Sequence, residues 1–309
     1  MSGAAWNSVV SAAAAGGTGD VANQDSNHDQ TTLAAALVAA RTGNSADRTR
    51  ALNHLTSAIG TESGARWLAI GRNLGSYIIA ADLLDVRSGP IYDWLASFAT
   101  KKLQDNNNSS VMEGIRASAW SSGSNASAQM GFVATALAVY TGDDDLLAWS
   151  WTGFRKYAGD RSVDWHLVSN SDAWQAIPSD PVGIQNLGAT KNGCRLDGAI
   201  SNDMSRGGDN ICTPGYTSYP WVGLEGAIPA AEVFDNAGLP AYTVSNSALR
   251  RAADYLFFLR TKTGNADWYD GTRSAELKHL INRRYGLTYP VTYPVGPGRT
   301  VGFTDWTHP

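Results

Sequence analysis

Long apolar runs are missing from this 309-residue chain, and with them any segment able to cross a bilayer as a helix. The longest stretch of small residues, Ser11 to Gly17, is too short and too polar at its flanks for a secretion signal, so an exported form is expected to have lost its signal. Charge is scarce as well. Only 17% of residues are charged, the net charge is −4, and no run of lysine or arginine is dense enough to track a phosphate backbone or a membrane surface. Neither nucleic acid nor membrane is expected as a partner. There is no Cys-x-x-Cys, His-x-x-x-His or His-Glu pattern, and the glycines of Gly16 to Asp20 follow no strand. Nothing therefore implies a transition metal, a nucleotide or any other cofactor.

The two cysteines, Cys194 and Cys212, bracket one Gly-rich polar segment. That placement suits a disulfide across a long loop and an oxidising, extracellular compartment, with two free buried thiols as the alternative. Aromatic residues are plentiful, with eleven tryptophans and twelve tyrosines. Their faces stack on the apolar C–H patches of sugar rings, although many must serve the core. Asn-x-Ser sequons occur at Asn107, Asn108 and Asn125.

Three Ala-rich segments end alike: AAALVAARTG at Gly43, ATALAVYTG at Gly142 and IPAAEVFDNAG at Gly238. Each reads as a helix closed by a glycine in left-handed geometry. The spacings, 142 − 43 = 99 and 238 − 142 = 96 residues, fit two helical hairpins each. Between them Trp67, Ile70, Leu74, Tyr77, Ile78, Ala81 and Leu84 recur at three and four, as one helical face. Asp143 to Asp145 reads as the start of the next helix, where acidic side chains favour the dipole. Strand alternation is hard to find outside the Tyr- and Pro-rich tail after Leu287, whose prolines make a poor central strand. The fold class expected is all-α, a single domain of stacked hairpins over residues 1–309 that curve or close into an α/α barrel with a groove at one end. The pattern breaks between Asp164 and Tyr219, a long ordered loop of the kind that usually carries function.

Within that loop, DGAISNDMSRGGDN runs from Asp197 to Asn210, and GYTSYPWVGLEGAIPAA follows from Gly215. A fixed arginine is thus placed close to two tyrosines at the mouth of a helix, and a fixed cation favours the phenolate form of a neighbouring phenol. Asp197 and Gly198, Asp203, Arg206 and Gly207, Tyr219, Leu224 and Glu225 together resemble a pattern of the alginate lyase-like family of polysaccharide lyases. NHDQTTLAAALVAARTG from Asn27 and RNLGSYIIAADLL from Arg72 are similar to that family's first two inner helices, and SGSNASAQMG around Asn125 to its asparagine before an inner helix. HLINRRYG from His279 extends the piecewise resemblance to Gly286.

The resemblance implies an (α/α) toroid that cleaves a uronate-containing polysaccharide by β-elimination. That chemistry needs a neutralised C6 carboxylate, a base for the C5 proton and an acid for the departing oxygen. The resemblance assigns the first role to Asn125 and Arg206, and the other two to Tyr219, with Tyr216 a nearby substitute. Many relatives carry histidine directly after the asparagine; here Ala126 stands there, so His28, or less readily His166, is the replacement. Asn27, Arg72, Tyr77, Tyr216, Gln175 and Arg284 are expected to contact substrate, with Arg116 and Trp174 as further groove candidates. A monomer is expected. Each reading has a plainer rival: Arg206 paired with Asp203 or Asp209, Tyr219 packed under Trp221, Arg72 on a solvated face. Two other functions stay open, an inverting glycoside hydrolase using carboxylates among Asp29, Asp203, Asp209 and Glu225, and a non-catalytic glycan-binding barrel suggested by Ala126.

Overall fold

Glycine closes the helices where the chain pattern places it. In a computed structural model describing residues 3–104 and 111–309, Gly43 and Gly142 adopt φ of 65° and 70°, and their N–H groups bond back to the last helical carbonyls. Short polar side chains start the helices that follow: Asn44 accepts from Ala46 N at 2.8 Å, and Asp143 accepts from Leu146 N at 2.8 Å. The sequons at Asn107 and Asn108 lie outside the described residues.

The helices are α1 (Gly3–Ala14), α2 (His28–Thr42), α3 (Ser45–Ala58), α4 (Trp67–Leu83), α5 (Pro90–Ser97), α6 (Asn125–Thr141), α7 (Asp144–Tyr157), α8 (Ser201–Met204), α9 (Tyr219–Asn236), α10 (Val244–Thr263), α11 (Ala275–Tyr285) and α12 (Thr304–Thr307). Two short antiparallel ribbons, β1 (Lys102–Gln104) with β2 (Val111–Glu113) and β3 (Thr190–Lys191) with β4 (Cys194–Arg195), decorate them. Periodicity did not announce these ribbons, because two- and three-residue strands are too short to show one. The tail after Leu287 forms no strand among the described residues.

Packing runs in succession from α2 to α4, α6, α9 and α11, while α3 and α7 back onto this row. The row helices are buried on nearly every face, which explains why α6 has almost no amphipathic stripe. Large apolar side chains such as Ile78, Phe132 and Leu224 are fully enclosed, each contributing about 1.5–3 kcal/mol. Small residues set how near the helices come. A Cβ on Gly75 would lie 2.1 Å from the Phe132 ring, and one on Gly226 would lie 2.2 Å from the backbone of Ala128. The C-terminal halves of all five row helices also line a single apolar cavity of about 390 Å³, through Leu37, Leu83, Val139, Val233 and Leu280. No helix among the described residues is long and apolar enough to cross a membrane.

The loop between α7 and α9 is pinned rather than free. Cys194 and Cys212 form a disulfide. Asp197 is held by Arg251 of α10 at 2.7 Å, and the same guanidinium caps the carbonyl of Gln185. Gln175 bonds Gln185 at 2.7 Å, and Gln185 reaches Ser201 at 2.8 Å, so the segment enters α8 in one fixed course. That course delivers Asp203 and Arg206 to the first turns of α6 and α9.

Candidate active site

At the end opposite the apolar cavity, a polar cleft of about 590 Å³ opens where α2, α9 and α11 begin, with residues 295–299 of the tail as a further wall. Asn27 lines it, as do Glu225, Arg273, Glu276 and Arg299. Arg72, from the second turn of α4, is buried beside it. Its Nη1 lies 3.6 Å from Asp25 and 3.5 Å from the Gln24 carbonyl, and its Nε has no partner. The solvated-face reading of Arg72 is therefore replaced: Arg72 is a buried cation with Arg299, Glu225 and Tyr219 among its neighbours.

Glu225 accepts from Gln129 Nε2 at 3.1 Å and lies 3.8 Å from Arg299 Nε. Burial pushes its carboxyl up to about 8, against the pull of Arg299 and with the help of the nearby Glu276 charge. Glu276 is itself raised to about 7 by burial. Two carboxyls with raised values, the carboxylate of Asp25 and three guanidinium groups thus meet at one opening, where cations are in excess at neutral pH.

Tyr219 sits at the edge of this opening as the first residue of α9, and it is exposed. The Arg206 guanidinium lies 5.0 Å from the centre of its ring. Arg206 makes no ion pair with Asp203 or Asp209 among the described residues; the stacked geometry replaces that expectation. Asn125 opens α6, and its amide donates to Asp203 Oδ1 at 2.9 Å, with its backbone N–H on the same oxygen at 3.3 Å. Asp203 is fully buried, its Oδ2 is unpartnered, and burial raises its carboxyl to about 7 in spite of Asn125 and the Arg206 charge. One amide hydrogen of Asn125 is taken by Asp203, and an amide nitrogen has a second. Asn125, Arg206 and Tyr219, far apart in the chain, therefore form one cluster joined through Asp203. Tyr216 lies close by: its hydroxyl accepts from Arg273 at 2.7 Å.

Four expectations are corrected. His28 is buried with both ring nitrogens engaged, Nδ1 2.7 Å from Tyr77 Oη and Nε2 3.0 Å from His54 Nδ1, and burial together with the His54 charge lowers it to about 4. It is a packing histidine, not a base facing the cleft. Tyr77 is its fully buried partner and cannot meet a sugar. Gln175 is enclosed, clamping Val182 through both its backbone N–H and its carbonyl. Arg284 is tied to Glu232 and, at 2.9 Å, to Asp235 near the other end of α9. The same holds for Trp174, fully buried with its indole on Gly208 O, and Arg116 stacks on Trp149. In the second reading, Asp29 is fully buried beside Gln30 and cannot be a reacting carboxylate.

Arg273, Glu276 and Arg299 were not singled out by sequence. Arg299 follows a Gly-Pro-Gly turn, a signal of a shaped loop, but nothing in the tail says that the turn folds back over α11.

The buried carboxyls make stability depend on pH. Asp29, Asp203, Glu225 and Glu276 all have folded-state values raised to between about 7 and 8. A raised carboxyl binds its proton more tightly when folded, so its contribution is complete below the unfolded value and is lost as pH climbs through the folded one. Calorimetric melting temperatures are expected to rise from pH 8 to pH 6. Below about 6.5, charging of His28 opposes the trend, because its depressed value makes the unfolded chain the better proton binder. A melting temperature that falls between pH 8 and pH 6 contradicts the assignment of these four groups as buried acids.

Comparison with known proteins leaves the site to speak for itself: no family model, no curated protein and no solved structure matches this chain.

Proposed function

We propose that the protein is an exported polysaccharide lyase that cleaves a uronate-containing glycan by β-elimination, acting as a monomer. The observation that carries this reading is the cluster of Asn125, Arg206 and Tyr219 at the edge of a cleft rich in arginine. Arg206 supplies the forked cation that matches a carboxylate, and Asn125 a further donor, so the C6 carboxylate is neutralised and the C5 proton becomes acidic. The Tyr219 oxygen removes that proton. The released electron pair forms the C4–C5 double bond as the C4–O bond breaks, and the departing oxygen takes the proton from Tyr219. No proton is gained or lost overall.

The row of α2, α4, α6, α9 and α11 is read as the inner layer of an α/α toroid, on the strength of the one cavity all five line. Export is supported by the Cys194–Cys212 disulfide, since such bonds persist in oxidising compartments.

The test is a panel of polyuronates followed by ultraviolet absorbance, where an unsaturated uronate end gives a chromophore. Arg206→Lys is expected to lower kcat/KM by about 10²-fold, because an ammonium offers one point of charge where the guanidinium offers a planar fork. Activity within twofold of wild type removes Arg206 from the chemistry.

A second reading has its own support. Glu225 and Glu276 line the cleft together, and burial raises Glu225 to about 8, as suits a general acid, and Glu276 less far, to about 7, which makes it the better base of the two. Reducing ends without the chromophore, lost on Glu276→Gln, favour that hydrolase. Binding of glycan with neither product favours a non-catalytic role.

A further inference from the structure

A second concavity, also about 590 Å³, opens beside Ser205, the residue before Arg206. Its wall holds Ser169, Asn170, Ser171, Asp172, Ser205 and Asp209. It is organised: Asn202 accepts from the Ser169 hydroxyl at 3.2 Å and from Asn170 N at 3.1 Å, and Ser171 donates to Asp209 at 2.9 Å. Asn202 and Asp203 are neighbours, so the turn that fixes Asn125 also shapes this wall. Ion-pair, electrostatic and stacking neighbours run from Arg299 through Glu225, Arg72 and Tyr219 to Arg206, whose chain neighbour Ser205 lines the second concavity. The proposed reaction centre therefore borders two polar depressions, one beside Tyr219 and one beside Arg206.

Their charges differ. Arg273 and Arg299 line the cleft with Arg72 behind them, against the one carboxylate of Asp25 and two carboxyls that burial raises, Glu225 to about 8 and Glu276 to about 7, so cations are in excess there at neutral pH. The second depression has two carboxylates in its wall and no cation. Lys191 reaches its edge, where the ammonium donates to the carbonyl oxygens of Asp172 and Gln175. Like charges held at short range disfavour binding, so a uronate is unwelcome there, whereas carboxylates, hydroxyls and an asparagine suit the hydroxyl groups of a neutral sugar.

The geometry points to a mixed glycan as the substrate: the cleft of Arg72, Arg273 and Arg299 receives the acidic portion, and the concavity of Asp172 and Asp209 receives an uncharged sugar joined to the uronate that is cut. This inference rests on the lyase reading above and adds the composition of the chain on the far side of the scissile bond.

Initial rates on polyglucuronate and on a polymer alternating glucuronate with N-acetylglucosamine, each read by the unsaturated-uronate chromophore in low-salt buffer, decide it. Wild type is expected to favour the alternating polymer by about tenfold in kcat/KM. In Asp172→Asn/Asp209→Asn that preference is expected to shrink about fivefold, and added salt should narrow it in wild type, where exposed charges are screened. Equal or faster cleavage of polyglucuronate by wild type overturns the inference while leaving the lyase reading standing. A preference unaltered in the double variant overturns the assignment to these two carboxylates. Absence of the chromophore from both polymers, and from the wider panel, removes the lyase reading itself.

Discussion

Tyr219→Phe is expected to lower kcat on an acidic glycan by about 10²- to 10⁴-fold, the range a positioned proton-transfer group supplies, with KM close to wild type. The substitution deletes one hydroxyl and keeps the ring. The ring is what Arg206 stacks on, at 5.0 Å, so the cation stays where it was. Tyr219 is also 40% exposed, and its side chain carries none of the buried packing of α9, so the melting temperature should not move by more than a degree or two. A kinetic loss confined to kcat, with unchanged glycan binding by calorimetry, separates proton transfer from anchoring. Near-normal turnover transfers the role to Tyr216, whose hydroxyl sits 2.7 Å from Arg273. His28 cannot inherit it, since Tyr77 and His54 occupy both of its ring nitrogens.

How far such a site can be read from sequence depends on whether its residues are marked by local geometry. Helix ends were legible because Gly43, Gly142 and Asp143 act within one turn of themselves, through left-handed backbone or a short side-chain cap. Cys194 and Cys212 were legible because one loop contains both. Arg206 and Tyr219 were named because they stand in a loop that feeds directly into α9. Glu276 comes from α11 and Arg299 from the irregular tail beyond it, and only tertiary packing brings them to the cleft wall; no local rule could assign them. The false candidates fail for the complementary reason. His28, Tyr77 and Arg284 are polar residues on helices and Gln175 is one in the long loop, and composition cannot tell a polar side chain that faces a ligand from one that satisfies a buried partner. For Gln175 that partner is the Val182 backbone, and for Arg284 it is Glu232 and Asp235.

The most severe structural change should come from a single methyl group. In Gly226→Ala the added Cβ would lie 2.2 Å from the carbonyl carbon of Ala128, 2.3 Å from its oxygen and 2.3 Å from Gln129 N. These are main-chain atoms of a helix, so no rotamer change can make room, and α6 and α9 must separate along their contact. Overpacking of this kind costs about 3 kcal/mol or more, because each helix is pressed from its other side, α6 by α4 and α9 by α11. A urea midpoint lowered in proportion, with the slope of the transition unchanged, is the expected result. A folded fraction of the variant should also lose activity out of proportion to its stability. Asn125 begins α6, Tyr219 begins α9, and the distance between those two first turns is what Gly226 sets. A variant as stable as wild type shows instead that the two helices do not meet at this glycine, and the cluster of Asn125, Asp203, Arg206 and Tyr219 then loses the contact that holds its two halves together.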